Sequence, residues 1–148
     1  MSTSSAKTEA TVRTARAAKA SAPDPQVIQT DKAAAPIGPY SQAIQANGFV
    51  FVAGEKGIDP ASGEIVPGGI AAETRQTLEN IRHILAAAGT GLDRAVASTV
   101  YLVDMGEFAA MNAVYAQYFR VRPPGRTTVG VAALPAGARV EIQVTALA

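Results

Sequence analysis

The chain has 148 residues, of which 48% are hydrophobic and 17% are charged, and its formal net charge is +1. This length and composition predict one globular domain with an ample core, and the charge gives no reason to expect a nucleic-acid or membrane partner. The sequence has no cysteine and one histidine, His83, which excludes disulfides and thiol catalysis and disfavours metal sites and Ser-His-Asp triads. Any chemistry must therefore come from carboxylates, Arg, Lys, Tyr, Ser, Thr, Asn or backbone groups.

Residues 1–24 differ from the rest of the chain. They are rich in Ala, Ser, Thr, Lys and Arg, and Val12 is their one bulky aliphatic residue. Such a stretch buries too little apolar surface to fold alone, so we predict a disordered tail over 1–24 and a folded domain over 25–148. We expect a cytoplasmic location, with organellar import as an alternative because few acids and scattered basic residues are typical of transit peptides. No apolar run has the length of a membrane span.

Hydrophobic periodicity after the tail predicts three strands and then a helix. The strands lie at 27–28, 41–46 and 49–53, and the last two flank Asn47-Gly48, a strong hairpin signal. The helix follows from apolar residues at spacings of three and four, and Gly89 is placed to end it. Its predicted buried stripe is Ile70, Thr74, Leu78, Ile81, Leu85 and Ala88.

The second half of the chain predicts strand, helix, strand and strand. A strand at 95–103 precedes a helix that begins after the capping-box pair Asp104 and Glu107. Strands at 126–131 and 139–147 follow. Alternation on the strand at 95–103 predicts one face made of Val96, Ser98, Val100 and Leu102.

This order of elements predicts an α+β fold, a mixed six-stranded sheet with two helices on one face. The other face then lacks cover within the chain. Burial of that face against other subunits is the simplest solution for strands this apolar.

Glu141 is the most conspicuous candidate for chemistry, because it lies in the middle of an alternating strand. Its neighbours Val140 and Ile142 belong to the opposite, apolar face. A carboxylate at such a position is either placed for a function or is a structural residue, solvated on an open face or paired with Arg or Lys.

Other polar residues have similar alternatives. Arg126 follows the turn 123–125 (PPG), where its planar fork is suited to clamp a carboxylate, although loop arginines are often only solvated. Tyr40 and Asn112 each either bind a ligand or serve packing and backbone hydrogen bonding. Lys56 is in principle a Schiff-base lysine, but nothing near it in the sequence indicates a lowered pKa.

Taken together, a series of segments resembles the Rid family of imine deaminases. The match covers about Gln26 to Ala148 and depends on the order of the motifs, since each motif is weak alone. The segments are 35–43 (APIGPYSQA), 59–66 (DPASGEIV), 74–81 (TRQTLENI), 100–105 (VYLVDM), 108–115 (FAAMNAVY), 123–129 (PPGRTTV), 134–135 (LP) and 140–142 (VEI).

The resemblance implies a chorismate-mutase-like fold and a homotrimer, with a barrel of sheets at its centre and active sites between subunits. It further implies that Arg126 binds the substrate carboxylate and that Glu141 positions or activates water. Thr128 would contribute backbone contacts, while Tyr40 and Asn112 match the tyrosine and asparagine of the family motifs. No cofactor or metal is implied.

The chain departs from the family in one segment. The deaminases of the family usually carry Ser-Gly-Gln followed by Ile-Pro, whereas this chain has Ala53, Gly54, Glu55, Lys56 and Gly57. We expect the loss of the serine hydroxyl to remove one polar group from the pocket. Glu55 and Lys56 are expected to add charge near it, which affects the choice of substrate more than the grip on the carboxylate.

The expected activity is hydrolysis of 2-imino or enamino acids of the 2-aminoacrylate type to 2-keto acids and ammonia. Because Ala53 leaves more room than serine, a deaminase for a larger unsaturated amino acid of the 2-aminomuconate type is one alternative. A non-catalytic trimer that binds 2-keto acids or a protein partner is another. A nucleic-acid role, claimed for some relatives, is disfavoured by the near-neutral charge.

Overall fold

A computed structural model of the protein describes residues 23–148. It contains six strands and two helices in the predicted order. They are β1 (Gln26–Ile28), β2 (Ala43–Ala46), β3 (Phe49–Lys56), α1 (Gly69–Ala87), β4 (Ala95–Leu102), α2 (Phe108–Tyr118), β5 (Gly125–Gly130) and β6 (Val140–Leu147). Apart from its last two residues, the predicted tail 1–24 lies outside the described residues, so the tail stays a prediction. Within the described range, neither helix has the length and apolar character needed to cross a bilayer.

The six strands form one mixed sheet in the order β1-β2-β3-β6-β4-β5. Neighbouring strands are antiparallel except β4 and β5, which run parallel. A parallel pair needs a crossover connection, and α2 supplies it. The final strand, β6, lies between β3 and β4. The mixed six-stranded sheet confirms the prediction.

Both helices pack on one face of this sheet and share one hydrophobic core with it, which confirms the predicted layering. Leu78 and Ile81 of α1, Met111 of α2, and Ile142 and Val144 of β6 are all fully buried in this core. Burying each such side chain stabilises the fold by about 1.5–3 kcal/mol. The helix α1 ends as predicted, since Gly89 adopts a φ of 81° and donates its N–H to the Ala86 carbonyl.

The other face of the sheet has no helix over it within residues 23–148. It carries large apolar side chains, and Phe51 and Val27 are 45% and 62% exposed. Phe49 lies beside Phe51 with 6.0 Å between ring centroids. We call this surface the open face.

Two register shifts change which side chains point to which face. Between Val52 and Glu55 the β3–β6 ladder contains a bulge, and an extra residue on one strand reverses the facing of the residues that follow. A second shift between Ala95 and Ala97 leaves Val96 42% exposed. The prediction that Val96 shares one face of the strand with Ser98 is therefore wrong.

Candidate active site

Two adjoining cavities lie on the open face, and Glu141 and Gly54 line both. The first has a volume of about 220 Å³ and is lined by Ile37, Tyr40, Ala53, Gly54, Lys56, Pro135 and Glu141. The second has a volume of about 330 Å³ and is lined by Gly54, Tyr101, Leu134, Glu141 and Gln143. Four of the residues predicted for the site, Tyr40, Ala53, Gly54 and Glu141, therefore come together here.

The position of the Glu141 side chain depends on Gly54. A Cβ atom on Gly54 would lie 2.9 Å from the Glu141 Cδ and closer still to its Oε1, distances that real Cβ atoms do not tolerate. Glu141 itself is half-buried. The carboxylate is thus held against bare backbone at the bulge, with access to both cavities.

Lys56 and Tyr40 form the walls of the first cavity. Lys56 is paired directly with Glu141 across β3 and β6, is only 5% exposed, and donates weakly to the Gly54 carbonyl at 3.5 Å. It forms no salt bridge within the part of the chain that the structure describes. The Tyr40 hydroxyl accepts a hydrogen bond from the Ile37 N–H at 3.0 Å, which fixes the phenol at the cavity.

The Glu55 side chain lies away from both cavities. The bulge pairs it with Ile142, whose side chain belongs to the core under the helices, and Glu55 lines neither cavity. The pKa of Glu55 is raised to about 8, mainly by burial, while Lys56 opposes the rise and Glu141 contributes to it. At neutral pH the carboxyl is mainly protonated, so Lys56 is the member of this pair that adds charge at the cavity.

Arg126 lies in a second cluster, between β5 and α2. Its guanidinium carbon lies 4.7 Å from the centroid of the Tyr115 ring and 5.6 Å from that of Phe108, within the range of cation–π attraction. The Tyr115 hydroxyl hydrogen-bonds to the Ser98 Oγ at 2.7 Å. Burial raises the pKa of Tyr115, whereas Ser98 and Arg126 lower it. The aromatic pair therefore holds a guanidinium that has no salt bridge among residues 23–148.

Asn112 and Thr128 belong to the same cluster as Arg126. Asn112 lies one helical turn from both Phe108 and Tyr115, and its Oδ1 is buried without a hydrogen-bond partner among the described residues. Thr128 follows Arg126 by two positions on β5, so it has the same facing, and it is half-buried. An unpaired acceptor on the helix whose rings hold the Arg126 guanidinium is suited to a polar ligand.

Arg126 and Glu141 lie on opposite faces of the sheet. Arg126 is paired with Ser98, and Ser98 is paired with the buried Val144 on the helical face. Glu141 is paired with Tyr101 on the open face. One subunit therefore presents two separate half-sites. We call them the arginine half (Phe108, Asn112, Tyr115, Arg126 and Thr128) and the glutamate half (Tyr40, Ala53, Gly54, Lys56 and Glu141).

Sequence reasoning missed three contributors. Tyr115 and Phe108 were not predicted as site residues, yet their rings hold Arg126. Tyr101 lines the second cavity. Tyr101 is paired with Glu141 on the neighbouring strand, and the alternation of side chains along the strands is the signal that places both on the same face. Among residues 23–148 there is no group of three or more His, Cys, Asp or Glu side chains arranged to hold a metal ion.

The fold and the two half-sites define a mixed-sheet domain with small-molecule cavities on its uncovered face. Residues 30–148 match the family model described as Endoribonuclease L-PSP, and the chain belongs to this family. It is 47% identical over 122 residues to the 2-iminobutanoate/2-iminopropanoate deaminase of Mus musculus, covering 82% of this chain and 90% of the mouse protein.

Solved structures agree with this assignment. A member of the conserved Rid protein family from Yersinia pestis superposes with a TM-score of 0.82 at 42% identity, covering 84% of this chain and 100% of that one. Escherichia coli TdcF with bound serine gives a TM-score of 0.80 at 35% identity, covering 83% and 98% of the two chains. The predicted resemblance to the Rid family is therefore confirmed.

Proposed function

We propose that this protein hydrolyses 2-imino acids, and the enamines that tautomerise to them, to 2-keto acids and ammonia. One observation carries the proposal: a half-buried carboxylate at a cavity, Glu141, together with an aromatic-held guanidinium, Arg126. The first is suited to proton transfer and the second to gripping a carboxylate. The activity in the name of the mouse relative supports the same chemistry.

We infer further that the working enzyme is a homotrimer whose sites each combine two subunits. The opposite facing of Arg126 and Glu141 supports this, because a substrate within one subunit cannot reach both. The apolar open face around Phe51 supports it too, since contact with another subunit would remove exposed apolar surface from water. In such a site, the arginine half of one subunit meets the glutamate half of its neighbour.

The reaction in this composite site needs only these groups. Arg126 binds the substrate carboxylate through two parallel hydrogen bonds and so positions the C=N carbon. Glu141 orients a water molecule and takes its proton as the oxygen adds to that carbon. Glu141 then returns the proton to the nitrogen, which gives a tetrahedral carbinolamine. It next takes the hydroxyl proton and delivers it to the nitrogen as the C–N bond breaks, so ammonia leaves and the 2-keto acid remains. The imine is already electrophilic, so the chemistry requires no metal or organic cofactor.

Three other functions are alternatives to the proposed deaminase activity. Ala53 in the cavity wall favours a larger unsaturated amino acid of the 2-aminomuconate type as substrate. A trimer that binds 2-keto acids without turnover would use the same two half-sites. The family description names a ribonuclease, but a net charge of +1 provides little attraction for a polyanion.

A coupled assay tests the proposal. An amino-acid oxidase generates imines in situ, semicarbazide traps them, and an active protein lowers the yield of semicarbazone. We expect suppression by the wild-type protein and none by Arg126→Ala, with little by Arg126→Lys because lysine lacks the planar fork. Wild-type activity in Arg126→Ala would overturn the assignment. For Glu141→Gln we expect lost turnover with the oligomer intact, and dissociation would instead mark Glu141 as structural.

A further inference from the structure

Lys56 is a charged group at the cavity that the proposed reaction does not use. Lys56 is 95% buried in the protomer, yet it lines the same cavity as Glu141 and Tyr40. Among residues 23–148 the one hydrogen bond of the Lys56 ammonium, to the Gly54 carbonyl, is long at 3.5 Å. A buried ammonium without a carboxylate partner is costly, and an anionic ligand in the cavity would offset that cost.

The backbone that carries Lys56 is fixed from the helix layer. Asn80 is fully buried and donates its two amide hydrogens to the carbonyls of Lys56 and Ile58, at 3.2 and 2.9 Å. Gly57 packs so closely on α1 that a Cβ there would lie 2.7 Å from the Glu73 Cα. The backbone at Lys56 is therefore fixed before any ligand arrives, which lowers the entropic cost of binding.

The charges around Lys56 leave it available to a ligand. Glu55, the adjacent residue, is mainly protonated at neutral pH because burial raises its pKa to about 8. Glu141 is the ionisable group directly opposite on β6, but the two side chains form no salt bridge. From α1, Glu73 is engaged by the Arg139 backbone N–H at 2.9 Å.

We propose that Lys56 binds a second carboxylate on the substrate, so that the preferred substrates are dicarboxylic 2-imino acids with four or five carbons. This inference rests on the proposed deaminase function and names the substrate class of the same site. Directly paired residues of an antiparallel ladder have Cβ atoms about 4.5–5.5 Å apart. A carbon that reacts beside Glu141 therefore places a short acidic side chain within reach of Lys56.

The division of roles follows from the two half-sites. Arg126 of the neighbouring subunit holds the carboxylate next to the imine carbon, and Lys56 holds the carboxylate at the end of the side chain. Water adds at the imine carbon and ammonia leaves, as in the proposed reaction, and the second carboxylate takes no part in the bond changes.

The closing experiment compares acidic with neutral imines in the coupled assay. Oxidases acting on aspartate or glutamate supply the dicarboxylic imines, and an oxidase acting on alanine or 2-aminobutyrate supplies the monocarboxylic ones. We expect wild-type kcat/KM to be at least about tenfold higher for the acidic imines, the size typical of a hydrogen bond between charged groups. In Lys56→Met the ratio of acidic to neutral kcat/KM falls by about tenfold or more. The matched control Lys32→Met removes an exposed lysine that lines neither cavity and leaves the ratio unchanged.

A second measurement does not depend on a variant that folds. Calorimetry on the wild-type protein should show 2-ketoglutarate binding at least about tenfold more tightly than 2-ketobutyrate, with a difference that shrinks at high salt. Hydrolysis of neutral imines with no acidic preference, or with an unchanged ratio in a folded Lys56→Met, overturns the role of Lys56 and leaves the deaminase function intact. Failure to hydrolyse any imine removes both proposals.

Discussion

The two half-sites are built in different ways. Around Arg126 the structure uses aromatic rings and one buried hydroxyl pair, and the cation has no counter-charge among the described residues. Around Glu141 it uses a bare glycine, a buried lysine and a backbone bulge. The arginine half is suited to bind an anion, and the glutamate half is suited to orient a carboxylate for proton transfer. Their separation on opposite faces is the basis of the proposed composite site.

The largest expected effect comes from mixing two inactive variants. Arg126→Ala and Glu141→Gln should each reduce imine turnover by at least about 10²-fold, the typical scale of a lost acid–base or clamping group. If each site takes Arg126 from one subunit and Glu141 from another, co-refolding the two variants in equal amounts restores about a quarter of the sites, since each half is intact with a chance of one half.

The control for this mixture is a double variant that carries both changes in one chain, mixed with an equal amount of wild type. If Arg126 and Glu141 acted within one subunit, the two single variants would show no recovery and half of the wild-type activity would persist in the control. Recovery of about a quarter of the wild-type activity supports a site that combines half-sites of two subunits. No recovery from mixed oligomers contradicts it.

The next effect concerns the close approach in the glutamate half. Gly54→Ala should lower kcat by about 10- to 100-fold, because its Cβ would displace the Glu141 carboxylate, and misplacement by about 1 Å costs about 10²-fold. Gly130→Ala is the matched control: its Cβ meets the flexible Met105 side chain at 3.0 Å. Steady-state kinetics and circular dichroism on both variants check this. Equal activity in the two variants would contradict the role of Gly54.

A smaller effect is expected on stability, at Glu55. The carboxyl titrates at its ordinary value in the unfolded chain and at about 8 in the folded protein, so folding takes up a proton between these values. The contribution of Glu55 to the free energy of unfolding is therefore fully present below pH 4.5, and it is lost as the pH rises through about 8. Glu55→Gln should remove this decline and raise the free energy of unfolding by a few kcal/mol at pH 8.5, with a much smaller gain at pH 5.

Urea unfolding at both pH values measures the effect of Glu55→Gln. The exposed carboxylate of Glu64 provides the control, since Glu64→Gln should leave the pH dependence as in the wild type. A gain from Glu55→Gln that is equal at pH 5 and 8.5 would show that the carboxyl is already ionised in the fold.

The smallest effect is expected in the arginine half, at Tyr115. Tyr115→Leu removes the ring nearest Arg126, a contact worth about 0.5–1 kcal/mol or more, so KM should rise severalfold with little change in kcat. Tyr115→Phe keeps the ring and loses the hydrogen bond to Ser98, and its KM should lie nearer the wild-type value. A fall in kcat with an unchanged KM in Tyr115→Leu would assign the ring to the chemical step instead.

The main elements of the fold followed from local patterns. The stripe from Ile70 to Leu85 predicted α1 because apolar spacing of three and four suffices to define a buried helical face. Asn47-Gly48 marked the β2–β3 turn, since these residues readily take positive φ, as they do here at 52° and 84°. The predicted order of elements required only such signals.

The candidate site was predictable in part. Glu141, Arg126 and the Tyr40 segment were identified from strand alternation and from motif order, and the structure brings Tyr40 and Glu141 to one cavity. The facing of Glu55 and Lys56 was not predictable, because the bulge between Val52 and Glu55 depends on the pairing partner and not on the local sequence.

The sequence by itself determined the class of fold, the family resemblance and the identity of the reactive side chains, since these depend on residue type, spacing and order. Only the tertiary structure decided which of them share a face. Strand register and burial arise from contacts between distant parts of the chain, and those contacts buried Glu55, aimed Lys56 at the cavity and separated Arg126 from Glu141 by the thickness of the sheet.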